Sequence, residues 1–313
     1  MPLQVMKKAN GTTMASFRER VVDRCFQPLV SRRCFVQAAL GMIFLSASRA
    51  VEGKSVMTMI NAPLEFTGNW RNSNLADITA VVSRMREACL SDLIIRSDQQ
   101  PERIRVDDHE SGSPAIWLHS EPATTAWIIV DVGTRDWCKL AYQFGHELGH
   151  VVANSWSRTS HPGGPSQWLE EALVEAFALR GLRRLANGWR VRPPFPNDSQ
   201  YAAAILQYRD HMLQPDLKIA QDQQIAIDMR KWFRAERENL ASHPGVDVAR
   251  AAVPAVLALY EENAQLVEDL SAMNRWAERT HLELEVYLER WEASCLNVGS
   301  TGNLPRKLRS LLI

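Results

Sequence analysis

The stretch FGHELGHVVANSW, residues 144–156, places two histidines four positions apart in an apolar segment. Four residues of an α-helix turn through about 400°, so His146 and His150 lie one turn apart on the same helix face. Glu147 lies about 100° around the helix axis, beside that face. Two imidazoles in this arrangement can bind one metal ion.

The pattern HExxH is a zinc signature, in which the two histidines bind the ion and the glutamate acts as general base toward a water molecule. Catalytic zinc takes a third protein ligand. The next helical segment, SQWLEEALVEAFALRGL (166–182), offers three carboxylates, Glu170, Glu171 and Glu175. Carboxylates in so apolar a helix need partners, and a metal ion is one such partner. The loop between the two segments is rich in Gly, Pro and Ser and allows the second helix to fold back against the first.

An HExxH helix followed by a helical glutamate in a W-L-x-E context resembles the gluzincins, the zinc peptidases that include thermolysin-like enzymes and zinc aminopeptidases. The W-L-x-E pattern matches residues 168–171, which makes Glu171 the third zinc ligand. Glu175 falls where thermolysin-like enzymes carry an acid that hydrogen-bonds the first histidine and fixes its tautomer. Glu170 is expected to be a solvated neighbour of Glu171. The resemblance implies a zincin-like α+β fold.

The same resemblance implies Zn2+ as cofactor and a peptide or protein as substrate, with Glu147 as the general base of hydrolysis. In zinc aminopeptidases a tyrosine that opens a later helix stabilises the oxyanion, and Tyr201 holds a similar place here. A packing role for Tyr201 is equally compatible with the sequence, and Tyr208 and His211 are the alternatives. The aminopeptidase segment Gly-x-Met-x-Asn is replaced by WIIVDVG (127–133), so aminopeptidase specificity is not implied.

Two other functions are compatible with these residues. One is a non-catalytic, metal-stabilised module that binds a peptide or a cell-wall fragment, and the other is a zinc amidase that acts on a cell-envelope polymer. A structural zinc site usually has four protein ligands and no need of a base such as Glu147, so an enzyme is preferred over a module. Two histidines and one carboxylate in a helical setting favour zinc over other divalent ions.

The segment SRRCFVQAALGMIFLSASRA, residues 31–50, resembles a twin-arginine export signal. The motif positions are held by Ser31, Arg32, Arg33 and Phe35. Ser48 and Ala50 are small residues suited to cleavage after Ala50, and the apolar run is too short for a permanent membrane span. The pattern predicts a bacterial protein that uses the twin-arginine export machinery and works in the periplasm or beyond. A buried amphipathic helix with two arginines is the alternative.

The remaining chain, 51–313, is expected to form the metallopeptidase-like domain, with an α/β part at 51–135 and a helical part at 136–313. Residues 54–67 look extended or irregular. A helix is predicted over 72–90 with Asn74 as its N-cap, because apolar residues recur there at helical spacing. A small sheet is predicted from four β-prone runs between 92 and 133, namely DLIIR, RIRVD, AIWLHS and AWIIVDVG.

The helical part is expected to be interrupted at a few loops, which are 154–167, 187–198, the QP pair at 214–215, 242–245 and 296–305. The loop histidine His161 is expected to be solvated rather than part of the site. Residues 228–240 and 274–291 are expected to form helices with mixed charges on a solvated face.

Composition excludes one class of partner. Lys plus Arg and Asp plus Glu both number 36, and no long run of either sign occurs, so the electrostatic footprint of a nucleic-acid-binding protein is missing. The five cysteines show no CxxC spacing, although Cys89 and Cys138 could pair in an oxidising compartment.

Overall fold

The computed structural model describes residues 58–109, 114–157, 160, 164–243, 245–277 and 279–313. In these residues one small β-sheet is followed by a long series of helices, so the expected α+β class is confirmed. The predicted export signal at 1–50 and the loop residue His161 lie outside the described residues. The described residues belong to one compact unit, Met57–Ile313.

The sheet has four strands, β1 (Leu64–Gly68), β2 (Arg103–Asp108), β3 (Ala115–Trp117) and β4 (Thr125–Val130), in the order β1-β2-β4-β3. Strands β1, β2 and β4 run parallel, and β3 is antiparallel to β4 at one edge. Val106 pairs with Phe66 on one side and Ile128 on the other. Alternate residues of the central strands are buried, as expected for a sheet with one face on the core.

Two details of the predicted sheet are wrong. The run DLIIR (92–96) is not a strand, because the backbone N–H groups of Ile94 and Arg96 donate to side chains of Glu268 and Ser271, at 3.2 and 3.3 Å. The missing strand is β1, which lies largely within the residues 54–67 that were expected to be extended or irregular. A short apolar run does not show whether its backbone meets another strand or the side chains of a distant helix.

Eleven helices of the described chain are numbered in order: α1 Thr58–Asn61, α2 Leu75–Leu90, α3 Trp137–Val152, α4 Gln167–Val191, α5 Tyr201–Asp222, α6 Met229–Ser242, α7 Val246–Ala249, α8 Val253–Glu262, α9 Gln265–Glu268, α10 Leu284–Asn297 and α11 Asn303–Leu312. The prediction for α2 is confirmed, since Asn74 caps it by accepting from the Ala76 N–H at 2.9 Å. None of the described helices is both long and apolar enough to cross a membrane.

Two predicted helix boundaries are also wrong. The QP pair does not end a helix, because Pro215 lies inside α5, next to Asp216, whose buried carboxylate binds Arg250 at 2.6 Å. Tertiary contact can therefore retain a proline that local preference would place at a break. Residues 274–291 are not one helix, since α10 begins only at Leu284. The residues before it form a connecting segment that packs behind α3 and α4.

Close contact between α3 and α4 depends on glycine. A Cβ added at Gly149 would lie 2.8 Å from Cβ and 3.2 Å from Cα of Val174, which is closer than real side-chain contacts allow. A Cβ added at Gly145 would instead clash with Cε of Met85 in α2, while Ala178 of α4 would lie at an ordinary 3.7 Å. Gly149 therefore lets α4 lie against the face of α3 that carries the two histidines.

The cysteines of the described chain are free thiols. Cys89, Cys138 and Cys295 are all buried, so Cys89 and Cys138 do not pair. Cys89 faces Gly181 of α4, whereas the thiol of Cys138 donates to the hydroxyl of Tyr201 at 3.2 Å. Burial is the main reason that the pKa of the Cys89 thiol is raised to about 12.

Candidate metal centre

Three potential metal ligands converge between α3 and α4. Nε2 of His146 lies 3.5 Å from Oε2 of Glu171, and Nε2 of His150 lies 3.6 Å from Oε1 of the same carboxylate. One ligand atom from each residue lies within 4.8 Å of the other two. The group can hold a metal ion.

The spacing of these atoms fits a divalent ion. Ligands about 2.0–2.2 Å from a tetrahedral centre lie about 3.4 Å from one another, close to the two nitrogen–oxygen distances observed. The same distances exceed the usual length of an N–H···O hydrogen bond, about 2.9–3.0 Å. The gap between the two rings and Glu171 therefore suits a cation better than a direct hydrogen bond.

The ring of His146 is held from behind by α4. Its Nδ1 lies 2.8 Å from Oε2 of Glu175, and the hydroxyl of Tyr142 lies 2.7 and 2.8 Å from the two Glu175 oxygens. A carboxylate only accepts hydrogen bonds, so Nδ1 carries a proton, and Nε2 is the ring nitrogen that faces Glu171. The structure thus places Glu175 where the resemblance to thermolysin-like enzymes expects it.

The ring of His150 is held by Glu170, and the expectation that Glu170 is solvated is wrong. Only 2% of Glu170 is exposed, and its Oε1 lies 2.8 Å from Nδ1 of His150. Its other oxygen, Oε2, accepts from Nδ2 of Asn274 at 2.8 Å. Both histidines therefore have a carboxylate on Nδ1 and an open Nε2.

Asn274 reaches Glu170 because the connecting residues 271–277 and 279–283, here called the strap, are anchored to the end of α3. Nδ2 of Asn154 donates to the carbonyls of Ser271 and Met273, at 3.0 and 2.7 Å. Asn154 has a left-handed backbone, with φ of 61°, which turns the chain sharply after α3. The strap is thereby fixed behind the metal centre.

The strap carries a second polar residue to the site. Nη1 of Arg279 lies 3.1 Å from Oγ of Ser155 and 3.8 Å from Oε2 of Glu170. The hydroxyl of Tyr287 donates to Oδ1 of Asn274 at 2.6 Å. Sequence reasoning missed these residues because they lie more than 100 positions from Glu170 and show no local pattern that indicates a site.

Electrostatics show that the triad favours positive charge. Burial, the largest influence, lowers the pKa of His146, but the nearby carboxylates of Glu171 and Glu175 outweigh it and raise that pKa to about 9. Burial also opposes charge on Glu171, yet the two histidines hold its pKa below the usual range. Burial raises the pKa of Glu147, and the positive histidines only partly offset this. The cluster of acids and imidazoles is thus suited to a cation.

The structure does not bring Tyr201 to the group formed by His146, His150 and Glu171. Its hydroxyl binds the thiol of Cys138, and its ring packs against Trp189 with centroids 5.4 Å apart. Cys138 precedes His146 by eight residues, about 12 Å along the axis of α3. The packing role is therefore the one that the geometry supports for Tyr201.

Tyr208 lies two turns later on the same face of α5 and comes closer to the site. Its ring centroid is 6.0 Å from that of Tyr142, the residue whose hydroxyl binds Glu175. His211 is exposed to solvent. Of the tyrosines predicted to act on the oxyanion, Tyr208 is thus the better placed.

No known protein family, curated protein or solved structure matches this chain. Two imidazole nitrogens and one carboxylate converge, and Glu147, which is 3% exposed, follows the first histidine on the same helix. This set of groups can hold a cation and can accept a proton beside it.

Proposed function

We propose that this chain is a zinc-dependent hydrolase that cleaves peptide bonds, with His146, His150 and Glu171 as ligands and Glu147 as general base. The observation that carries the proposal is the convergence of two Nε2 atoms on Glu171 at 3.5 and 3.6 Å, while a carboxylate occupies each Nδ1. Two nitrogens and one oxygen with further open positions are typical of catalytic zinc.

The order of elements supports a zincin-like fold for this proposal. A small sheet with a parallel core precedes the HExxH helix α3, and α4 then supplies the third ligand. Gly149 of α3, which faces Val174, explains how α3 and α4 approach closely enough to bring their ligands together. Export through the twin-arginine machinery remains part of the proposal, on the evidence of the sequence alone.

The chain's own groups then have distinct tasks in hydrolysis. When bound, Zn2+ supplies a Lewis acid that acidifies a water molecule and polarises the substrate carbonyl. Glu147 takes a proton from the attacking water and delivers it to the amine nitrogen as the C–N bond breaks. Glu175 and Glu170 hold the imidazoles in the tautomer that leaves Nε2 free, which strengthens them as ligands.

A purely structural metal site is the weaker alternative. Structural zinc is usually enclosed by four protein ligands, and only three candidate ligands converge in the part of the chain that the structure describes. An amidase acting on a cell-envelope polymer would use the same groups on a different amide. The two activities differ only in substrate, so both substrates belong in one experiment.

The test is hydrolysis by the zinc-loaded full chain. The substrates are a mixture of quenched-fluorescence peptides, casein, and purified peptidoglycan fragments. We expect the wild type to cleave peptides, and we expect Glu147→Gln to lose about 10²–10⁴-fold in turnover while still holding zinc, since only the proton acceptor is removed. Glu238→Gln, an exposed acid on α6, is the matched control and should cleave like the wild type.

Three outcomes would contradict the proposal. If the zinc-loaded wild type cleaves none of these substrates, the metal-stabilised module is favoured. If it cleaves only peptidoglycan fragments, the amidase is favoured. If Glu147→Gln keeps full turnover, Glu147 is not the base.

A further inference from the structure

A chain of three buried groups runs from the metal centre into the strap. His150 contacts Glu170, and Glu170 in turn faces Arg279. We propose that Arg279 is a positioning residue, which acts through Glu170 to hold the His150 imidazole in the orientation and tautomer that a zinc ligand needs. This inference rests on the proposed function only in that it takes the ion to be zinc.

The first support is the pairing of two buried charges. The side chain of Arg279 is 8% exposed and that of Glu170 is 2% exposed, and Nη1 lies 3.8 Å from Oε2. Among the described residues, Glu170 is the one carboxylate within ion-pair distance of Arg279. A buried charge is costly unless an opposite charge compensates it, so each of these two groups depends on the other.

The second support is the incomplete bonding of the guanidinium. Nη2 of Arg279 is buried and has no hydrogen-bond partner among the described residues. Arg279 is therefore held by Ser155 and by the charge of Glu170, instead of by a full set of acceptors. A buried arginine with an unsatisfied nitrogen calls for an explanation, and compensation of the Glu170 charge provides one.

The third support is what Glu170 does for the ring. His150 can serve as a ligand through Nε2 only while Nδ1 keeps its proton and the ring keeps its direction. The Glu170 carboxylate enforces both through its 2.8 Å contact with Nδ1. Asn274 fixes the other oxygen by a neutral hydrogen bond, and Arg279 supplies the opposite charge. Loss of Arg279 leaves a buried carboxylate whose partners on that side, the Asn274 amide and the Ser155 hydroxyl, are both neutral.

The test compares full-length variants without reference to catalysis. Zinc dissociation constants are measured by chelator competition, the Co2+-loaded protein is examined by visible absorption, and the metal-free protein is unfolded in urea. Arg279→Met should raise the zinc dissociation constant about tenfold or more and alter the cobalt spectrum. Arg279→Lys keeps the charge without the planar fork and should restore part of the affinity.

Arg275→Met is the matched control. Arg275 lies on the same strap but binds Asp98 at 2.7 and 2.8 Å instead of Glu170. Its loss can loosen the strap, yet the zinc dissociation constant should stay within about twofold of the wild type, because no group near His150 is changed. A tenfold loss of zinc affinity in this control would mean that strap anchoring in general, and not Arg279, supports the site.

A double-mutant cycle with Glu170→Gln decides whether Arg279 acts through Glu170. In that background, Arg279→Met should change the zinc dissociation constant by less than about twofold. A further tenfold loss there would overturn the proposal, as would unchanged zinc affinity and cobalt spectrum in Arg279→Met alone. If Arg279→Met does not fold, the double variant removes both charges together, and its comparison with Glu170→Gln still decides.

The outcomes separate this inference from the proposed function. If the wild type binds no zinc, both the positioning role of Arg279 and the proposed function are contradicted. If the wild type binds zinc but cleaves nothing, the proposed function is contradicted, and the double-mutant cycle still tests the positioning role of Arg279. If zinc binds tightly and its dissociation constant is unchanged in Arg279→Met, only the positioning role of Arg279 is contradicted.

Discussion

The two histidines of the candidate metal centre are held at Nδ1 by partners from different parts of the chain. His146 is held by Glu175 and Tyr142, which come from α4 and α3 themselves. His150 is held by Glu170, whose other oxygen depends on Asn274 and Arg279 of the strap. One half of the site is thus completed within a pair of helices, whereas the other half requires the C-terminal part of the chain.

The largest effect is expected at the contact between α3 and α4, because both halves of the site depend on it. Gly149→Ala would force a Cβ against Val174 and push α3 and α4 apart, so it should lower the free energy of unfolding by about 2–3 kcal/mol. Urea unfolding of the metal-free protein measures this. Gly188→Ala is the control, because no atom lies within 4 Å of the added Cβ, and it should be neutral or stabilising by up to about 1 kcal/mol. Equal stabilities for the two variants would show that the helix contact tolerates a side chain.

The next effect distinguishes the two halves. Glu175→Gln and Glu170→Gln should each weaken zinc binding about 10–100-fold, because each removes the anionic partner of a ligand histidine. Only Glu170→Gln should also speed backbone hydrogen exchange in residues 271–277, since Asn274 then loses a charged acceptor. Chelator competition and exchange measured by mass spectrometry test both parts. If Glu175→Gln speeds hydrogen exchange in residues 271–277 equally, the two halves of the site do not differ in their dependence on the strap.

A smaller effect is expected from Tyr142→Phe. The change removes the hydroxyl that lies 2.7 and 2.8 Å from the two Glu175 oxygens and leaves the carboxylate in place. A hydrogen bond to a charged group contributes about 1.5–3 kcal/mol, and Tyr142 acts on the ion only through Glu175 and His146, so a part of this reaches zinc binding and zinc affinity should fall about three- to tenfold. Exchange in the strap should be unchanged. A loss as large as that of Glu175→Gln would show that Tyr142 fixes the carboxylate on its own.

The smallest effect is expected from Tyr201→Phe. Its hydroxyl binds Cys138 at the far end of α3, so zinc affinity and turnover should both stay within about twofold of the wild type. The measurement is kcat and KM on the peptide substrates that the wild type cleaves. A strong fall in kcat with little change in KM would return Tyr201 to the mechanism that the sequence suggested.

The same comparison explains what the sequence could predict. The helix α2 and its cap Asn74 follow from residues within one segment, and so does the placement of His146 and His150 on one face. Glu171 and Glu175 follow from spacing along α4 and from a family resemblance. In each case the relevant neighbours lie within a few turns of one helix or one helical hairpin.

The sequence-based predictions that the structure corrects all concern contacts between distant segments. Glu170 is a charged residue of the kind usually found at the surface, but it is buried here and binds Asn274 of the strap. The run 92–96 looks like a strand, but side chains near α9 take up its N–H groups. Tyr201 opens a helix as expected, yet the direction of α5 brings it to Cys138. None of these contacts has a periodic or compositional signal in a single sequence.

The most direct test of the metal centre is zinc content after the full chain is loaded with zinc and desalted. We expect about one zinc ion per chain in the wild type and in Glu147→Gln, and little in Glu171→Ala, because only the last variant lacks a ligand. Retention of zinc by Glu171→Ala would show that the ion is held elsewhere. A wild type that holds no zinc would show that the two histidines and their carboxylates form a buried polar cluster without a metal.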